Sequence, residues 1–270
     1  MPIDPSVPLT RAIRWLAVAP LPLAVAAILI ENVAIFLGAI AFGGWLKRRY
    51  AHRPVALPPD DVAGGEVAVA AGTVALNTVT TLIGLLLWRA GIIRFRTDVG
   101  PRAWLDVVVL LIVMDFLMYG LHRLAHHPRI FPWLHRLHHG FDRPRPLTLF
   151  VLHPLENIAF GLLWLAVITV YPASWLGMSI YLALNVLFGT IGHLGVEPFP
   201  AWWATTPGLR LIAGSTFHAR HHQDLGCNFG FYTLIWDRLF GTLGADYAAA
   251  FGTVPGWVSG GGATGTTGRG

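Results

Sequence analysis

Charge is scarce in this sequence: Asp, Glu, Lys and Arg make up 12% of its 270 residues, against 54% hydrophobic ones. A soluble domain carries about 25% charged residues, so an ordinary water-soluble globule is excluded. Cysteine is almost absent. Cys227 stands alone, which rules out an internal disulfide framework and any thiolate-rich metal site. No self-similarity at a solenoid period is present. The net charge of +5 sits in arginine-rich stretches between apolar segments, not on a basic face interleaved with aromatics, so nucleic-acid binding is excluded as well. The opening MPIDPSVPLTRAIRW has little of a basic signal region or a small-residue cleavage site. It is expected to stay on the chain.

What the sequence does have is long apolar runs. Residues 16–46, 65–88, 104–121, 155–170 and 174–192 are each long enough, or nearly so, to cross a hydrocarbon core of about 30 Å as a helix. Pro20, Pro22, Glu31 and Asn32 in the first run leave open one kinked span or a re-entrant pair. Tyr171, Pro172 and Ala173 make a joint so short that the last two runs are expected to form a helical hairpin. The fold class is therefore all-α: an integral-membrane helical bundle of about four to five spans. Residues 1–255 are expected to form a single membrane-embedded domain, and the Gly-rich stretch 256–270 a disordered tail, because it lacks the apolar content that offsets ordering entropy. Trp133, Trp202 and Trp203 fall near the ends of runs, where an aromatic belt is the ordinary explanation.

Eleven of the twelve histidines lie between 122 and 222. A hairpin that enters the membrane after His153 and returns before His193 puts both flanks on one side, so histidines distant in sequence share a face. Arg123, Arg129, Arg136, Arg143, Arg145, Arg210, Arg220 and Arg238 lie there too, and the positive-inside rule makes it cytosolic. Arg89, Arg94, Arg96 and Arg102 then fall on the opposite side, against the rule.

His122 and His126 are four apart, and HxxHH occurs twice, at His135, His138, His139 and at His218, His221, His222. Offsets of three and four place side chains on one helical face, so each motif can aim two or three imidazoles at one point. A single histidine near a membrane surface, such as His52, is usually an interfacial residue. Packed imidazoles without a metal fit badly, because protonating them would stack like charges beside an apolar membrane. Imidazole suits iron, zinc, copper and nickel alike. Eight clustered imidazoles exceed the needs of one ion, and two ions are the economical solution.

The ordered strings DxxxYxxHRxxH from Asp115 to His126, HRLHH at 135–139, HPLE at 153–156, HLG at 193–195, TFHARHH at 216–222, NFG at 228–230 and WDRLFGT at 236–242 resemble the fatty acid hydroxylase superfamily, which includes sterol desaturases. The resemblance covers residues 104–243. It implies a membrane oxygenase that hydroxylates or desaturates a lipid with O₂ as cosubstrate, the lipid being sterol-like, isoprenoid or acyl. It also implies two iron ions, with zinc possible in a purified sample, held by His122, His126, His135, His138, His139, His193, His218, His221 and His222 on a cytosolic helical cap.

Either His126 or the adjacent His127 can be the ligand. The four-residue offset favours His126. Glu197 is a tenth ligand, a partner to a ligand's other nitrogen, or an interfacial acid. Asp115 and Tyr119 align with His122 on one helical face, and an Asp inside an apolar span is expensive unless paired. Glu156 and Asp237 are further candidates for orienting imidazoles, although Asp237 could simply pair with Arg238 or Arg220. His153 is open between such a role and a structural one at the start of a span. No flavin, haem or iron–sulfur motif is visible, so electrons are expected from a cytochrome b5-type protein or a ferredoxin. Rival readings are a zinc-dependent membrane hydrolase, with Glu156 or Glu197 as base, and a non-catalytic metal sensor or transporter.

Overall fold

The computed structural model describes residues 6–245 and 247–254, and the expected tail at 256–270 lies outside them. Among the described residues every regular element is helical, and extended pairing is limited to isolated bridges. Helix α1 (Ser6–Val18) ends just before Pro20, whose missing N–H and fixed φ favour a fresh start. Helix α2 (Leu21–Arg49) runs on unbroken, so the first apolar run is one helix with a short lead-in and not a re-entrant pair. Helices α3 (Gly64–Arg89) and α4 (Pro101–Ala125) follow. Two single turns, α5 (Phe131–Leu134) and α6 (Arg136–His139), precede α7 (Pro154–Val170) and α8 (Trp175–Gly192). Helix α9 (Ser215–Gln223) and the short α10 (Ile235–Leu239) and α11 (Tyr247–Ala250) complete the chain.

Four of these, α2, α3, α4 and α8, are long and apolar enough to cross a membrane. Helix α7 has 17 residues and rises about 25 Å, slightly short of a hydrocarbon core of about 30 Å. The protein is an integral-membrane helical bundle. Many large apolar side chains stay exposed on these helices, Leu29, Ile30, Leu105, Ile112 and Leu162 among them, as expected where the solvent is lipid.

Helix α8 packs chiefly on α4, and α7 chiefly on α3 and then α4. The expected hairpin is thus a hairpin in chain path, with its two arms set against other helices. Its joint is pinned by the buried Asp106 carboxylate, which accepts from the Tyr171 hydroxyl, the Ser174 N–H and the Arg96 guanidinium. The Ser174 hydroxyl then caps α8 by accepting from the Gly177 N–H. Arg89 reaches the Leu16 and Ala19 carbonyls at the open end of α1. Two of the arginines that offend the positive-inside count are therefore internal fasteners.

The C-terminal ends of α4 and α8 and the N-terminal end of α7 lie at the same end of the bundle, where His122, His193 and Glu156 meet the segments that carry His135 and Phe229. At the opposite end α4 and α8 approach closely: a Cβ on Gly177 would lie 2.7 Å from the Ala103 carbonyl oxygen of α4. Gly177→Val is expected to destabilise the protein by about 1–3 kcal/mol through overpacking, read as a lower unfolding midpoint in detergent. An unchanged midpoint would show that α4 and α8 do not need this contact.

Candidate metal centre

Nine histidines meet under the cap in two groups. The first comprises His122, His126, His135, His139 and His221, and the second His138, His193, His218 and His222; within each, one ring nitrogen per residue lies within 4.8 Å of all the others. Each HxxHH motif is divided between them. The i and i+4 members of the first motif, His135 and His139, join the first group and His138 the second, while His218 and His222 join the second group and His221 the first. The helical face expected from the spacing is present, but it serves two points instead of one.

The ring orientations are set by backbone carbonyls. His122 Nδ1 donates to the Phe229 carbonyl at 2.8 Å, His221 Nδ1 to Cys227 at 2.8 Å, His138 Nδ1 to Val151 at 3.1 Å and His193 Nδ1 to Gly189 at 2.7 Å. His135 Nδ1 donates to the Glu156 carboxylate at 2.7 Å. Because carbonyl oxygens only accept, the ring protons of His122, His221, His138 and His193 are on Nδ1, and each of their Nε2 atoms presents a bare lone pair. Two of those lone pairs face each other, with His138 and His193 Nε2 3.3 Å apart, and His122 Nε2 lies 3.0 Å from His135 Nε2. Two acceptors at that distance repel unless a cation lies between them.

The spacings also report on coordination. Nε2 pairs fall at 3.1 Å for His135–His139 and His139–His221, 2.9 Å for His193–His218 and 3.1 Å for His218–His222. Metal–nitrogen bonds of about 2.1 Å meeting at right angles span about 3.0 Å, whereas tetrahedral angles would span about 3.4 Å. With the 3.3 Å of His138–His193 included, the spacings lie in the range that nitrogens sharing one ion span.

Burial keeps the imidazoles neutral, as ligation requires. Desolvation, aided by neighbouring histidines, lowers His126 to about 4 and His193 to about 3, and desolvation lowers His138 to about 4. His135, His139, His218, His221 and His222 are also pushed down by burial and then by one another.

The remaining candidates hold the segments that carry the histidines. Glu197 is fully buried and accepts from the Thr216 N–H at 2.8 Å, the Thr216 hydroxyl and the Phe199 N–H. It secures the first turn of α9 and lies outside both histidine groups. Asp237 accepts from the N–H groups of Phe229 and Gly230, both at 2.8 Å, and from the Thr242 hydroxyl; it forms no salt bridge with Arg238. Asp115 accepts from the Tyr232 N–H, the Thr233 hydroxyl and the Trp236 indole. Both aspartates therefore brace the loop whose Phe229 carbonyl orients His122. The Tyr119 hydroxyl meets Thr242 at 3.0 Å and accepts from Arg123.

Only Glu156, among these, touches a clustered histidine. His153 caps α7 by accepting from the Leu155 N–H, the structural alternative. His127 is exposed, with Nδ1 accepting from the Arg129 N–H, and is in neither group. Asn228 adopts φ 61°, a conformation Asn tolerates. Its side chain donates to Phe217 and accepts from Gly244, so the carbonyls on either side of it are fixed for His221 and His122. The NFG string carries no sign of this role in its residue types, and the orienting carbonyls of Val151 and Gly189 leave no trace in side-chain chemistry.

Fold and site define a class: a helical membrane protein with paired histidine clusters at one end of its spans. The chain belongs to the fatty acid hydroxylase family, whose model matches residues 107–242, half of its length. It is similar to a Delta(7)-sterol 5(6)-desaturase of Leptosphaeria maculans, 27% identical over 149 residues that cover 54% of this chain and 40% of that protein. It is also similar to a lathosterol oxidase of Mus musculus, 31% identical over 176 residues, or 62% of this chain and 56% of that protein. A very-long-chain aldehyde decarbonylase of Oryza sativa subsp. japonica is 31% identical over 140 residues, covering 48% of this chain and 22% of that protein. The chain spans about half the length of most of the curated relatives it matches. No solved structure matches it.

Outer partners of a metal-bound imidazole raise its basicity, and losing one typically costs 10- to 100-fold in metal affinity. Glu156→Gln is accordingly expected to weaken metal retention by about 10- to 100-fold in competition with a chelator. Retention equal to wild type would mean that the His135–Glu156 contact does not tune the site.

Proposed function

We propose that the protein is a membrane-bound non-haem di-iron oxygenase that hydroxylates or desaturates a lipid with O₂ and externally supplied electrons. The observation that carries this reading is the pairing of a five-histidine and a four-histidine group at the end of an apolar bundle. His122, His126, His135, His139 and His221 would hold one iron, and His138, His193, His218 and His222 the other. When bound, such a pair supplies the redox capacity to use O₂ on an unactivated C–H bond, which a redox-silent zinc cannot. The chain's own work is to hold the nine clustered imidazoles neutral, four of them with Nδ1 tied to carbonyls and a proton-free Nε2 turned inward, to keep water from the buried ring faces, and to set the site at the depth where the lipid spans begin.

The substrate is a membrane lipid, with sterol-like or isoprenoid lipids ahead of acyl chains, in keeping with the sterol desaturases and lathosterol oxidase among the similar proteins. The cap faces the cytosol by its arginine excess, where a cytochrome b5-type protein or ferredoxin would deliver electrons. A zinc hydrolase is disfavoured because both candidate bases are engaged, Glu156 with His135 and Glu197 with Thr216 and Phe199.

Purified protein should contain about two irons and consume O₂ only with a reductant; stoichiometric zinc without oxygen uptake would sink the proposal. His221→Ala and His138→Ala should each remove one metal with the protein still inserted, whereas His127→Ala should keep both. Comparing lipids of cells with and without the chain by mass spectrometry then separates an added oxygen from a loss of two hydrogens.

A further inference from the structure

The turn that carries HRLHH has two sides. His135, His138 and His139 face the metal groups, while Arg136, Leu137 and Gly140 line an open groove of about 540 Å³ on the other side, together with Pro132, Trp133, Leu134, Phe141 and His153. Most of that lining is apolar, yet it holds one cation: Arg136 is exposed, and its guanidinium makes no hydrogen bond or ion pair with any described residue. His153 adds a donor. Its Nδ1 accepts from the Leu155 N–H, so in the neutral ring the proton sits on Nε2, free for an acceptor.

Position says which acceptor. His153 immediately precedes α7, and Leu155, Ile158 and Leu162 are exposed at offsets of three and seven residues, which align them in a strip running from the groove along the lipid-facing side of that helix. Trp133, 74% exposed at the rim, is the side chain expected at headgroup depth. A free arginine, a histidine donor, an interfacial tryptophan and an apolar track that continues into the bilayer match an anionic headgroup with its acyl chain attached. We propose that this groove is a binding site for an anionic membrane phospholipid, with its phosphate on Arg136 and His153 and one chain along Leu155, Ile158 and Leu162. The bound lipid would fasten the α5–α6 segment to the membrane from behind while its histidines face the metals. The inference uses none of the oxygenase reading and stands or falls separately from it.

The test is native mass spectrometry of the full-length protein in detergent, titrated with phosphatidylglycerol, phosphatidylcholine or inorganic phosphate. Wild type should prefer phosphatidylglycerol to phosphatidylcholine by about tenfold, the worth of roughly one charge-assisted contact. Arg136→Gln should lose that preference and Arg136→Lys should recover part of it. Trp133→Asp, a change at an exposed position that sets a carboxylate at the rim, should lose it as well. Equal binding of the two lipids by wild type, or an undiminished preference in both Arg136→Gln and Trp133→Asp, would overturn the site. Displacement of phosphatidylglycerol by inorganic phosphate at equal concentration would overturn the lipid assignment, since the chain would then contribute nothing.

Discussion

Proton-free ring nitrogens forced together, as at the 3.3 Å between His138 and His193 Nε2, are the constraint on which the rest of this protein turns. Such an arrangement is repulsive by itself and becomes favourable only around cations. It persists because every fixed ring is locked from its far side, four by backbone carbonyls and His135 by Glu156. The lock on His122 comes from a carbonyl 107 residues away, whereas those on His193 and His221 lie four and six residues from the rings they hold. The ends of α4, α7 and α8 must meet, and the loops at 151 and 227–229 must present carbonyls inward, before the histidines can converge.

The division of each HxxHH motif between the two groups ties the centres to each other. A shift of α6 or α9 would disturb both at once, so neither group can be remodelled alone. This explains why so much buried polar material serves backbone and not metal. Glu197 fixes the start of α9, Asp237 and Asp115 fix the 229–233 loop, and Asn228 holds the turn between two orienting carbonyls. Each is a carboxylate or amide buried in an apolar setting, tolerable because protein donors satisfy it.

The membrane supplies the other boundary. Apolar helices whose outer faces remain exposed can present a site at a defined depth, and the fatty acid hydroxylase family to which the chain belongs includes relatives named for sterol oxidation. The oxidisable lipid, the electron source and the sidedness follow from that setting as proposals. The groove behind α6 adds a second lipid contact of different chemistry, on the side of the turn that the metals do not use.

The sequence by itself determined the helical membrane class and eight of the clustered histidines, because both depend on local properties: the length of apolar runs and the three- and four-residue offsets of HxxxH and HxxHH; His193, outside those motifs, came only from the family resemblance. It left His126 against His127, the standing of Glu197 and the role of His153 open, since neighbours in sequence differ only in the direction they point. Tertiary structure turned His127 to solvent, drew Glu197 to Thr216 and gave His153 to the start of α7. It also decided which imidazole joins which group. That partition depends on how α4, α6, α8 and α9 are oriented against one another, and on carbonyls that any residue could supply, so no spacing rule along the chain could state it.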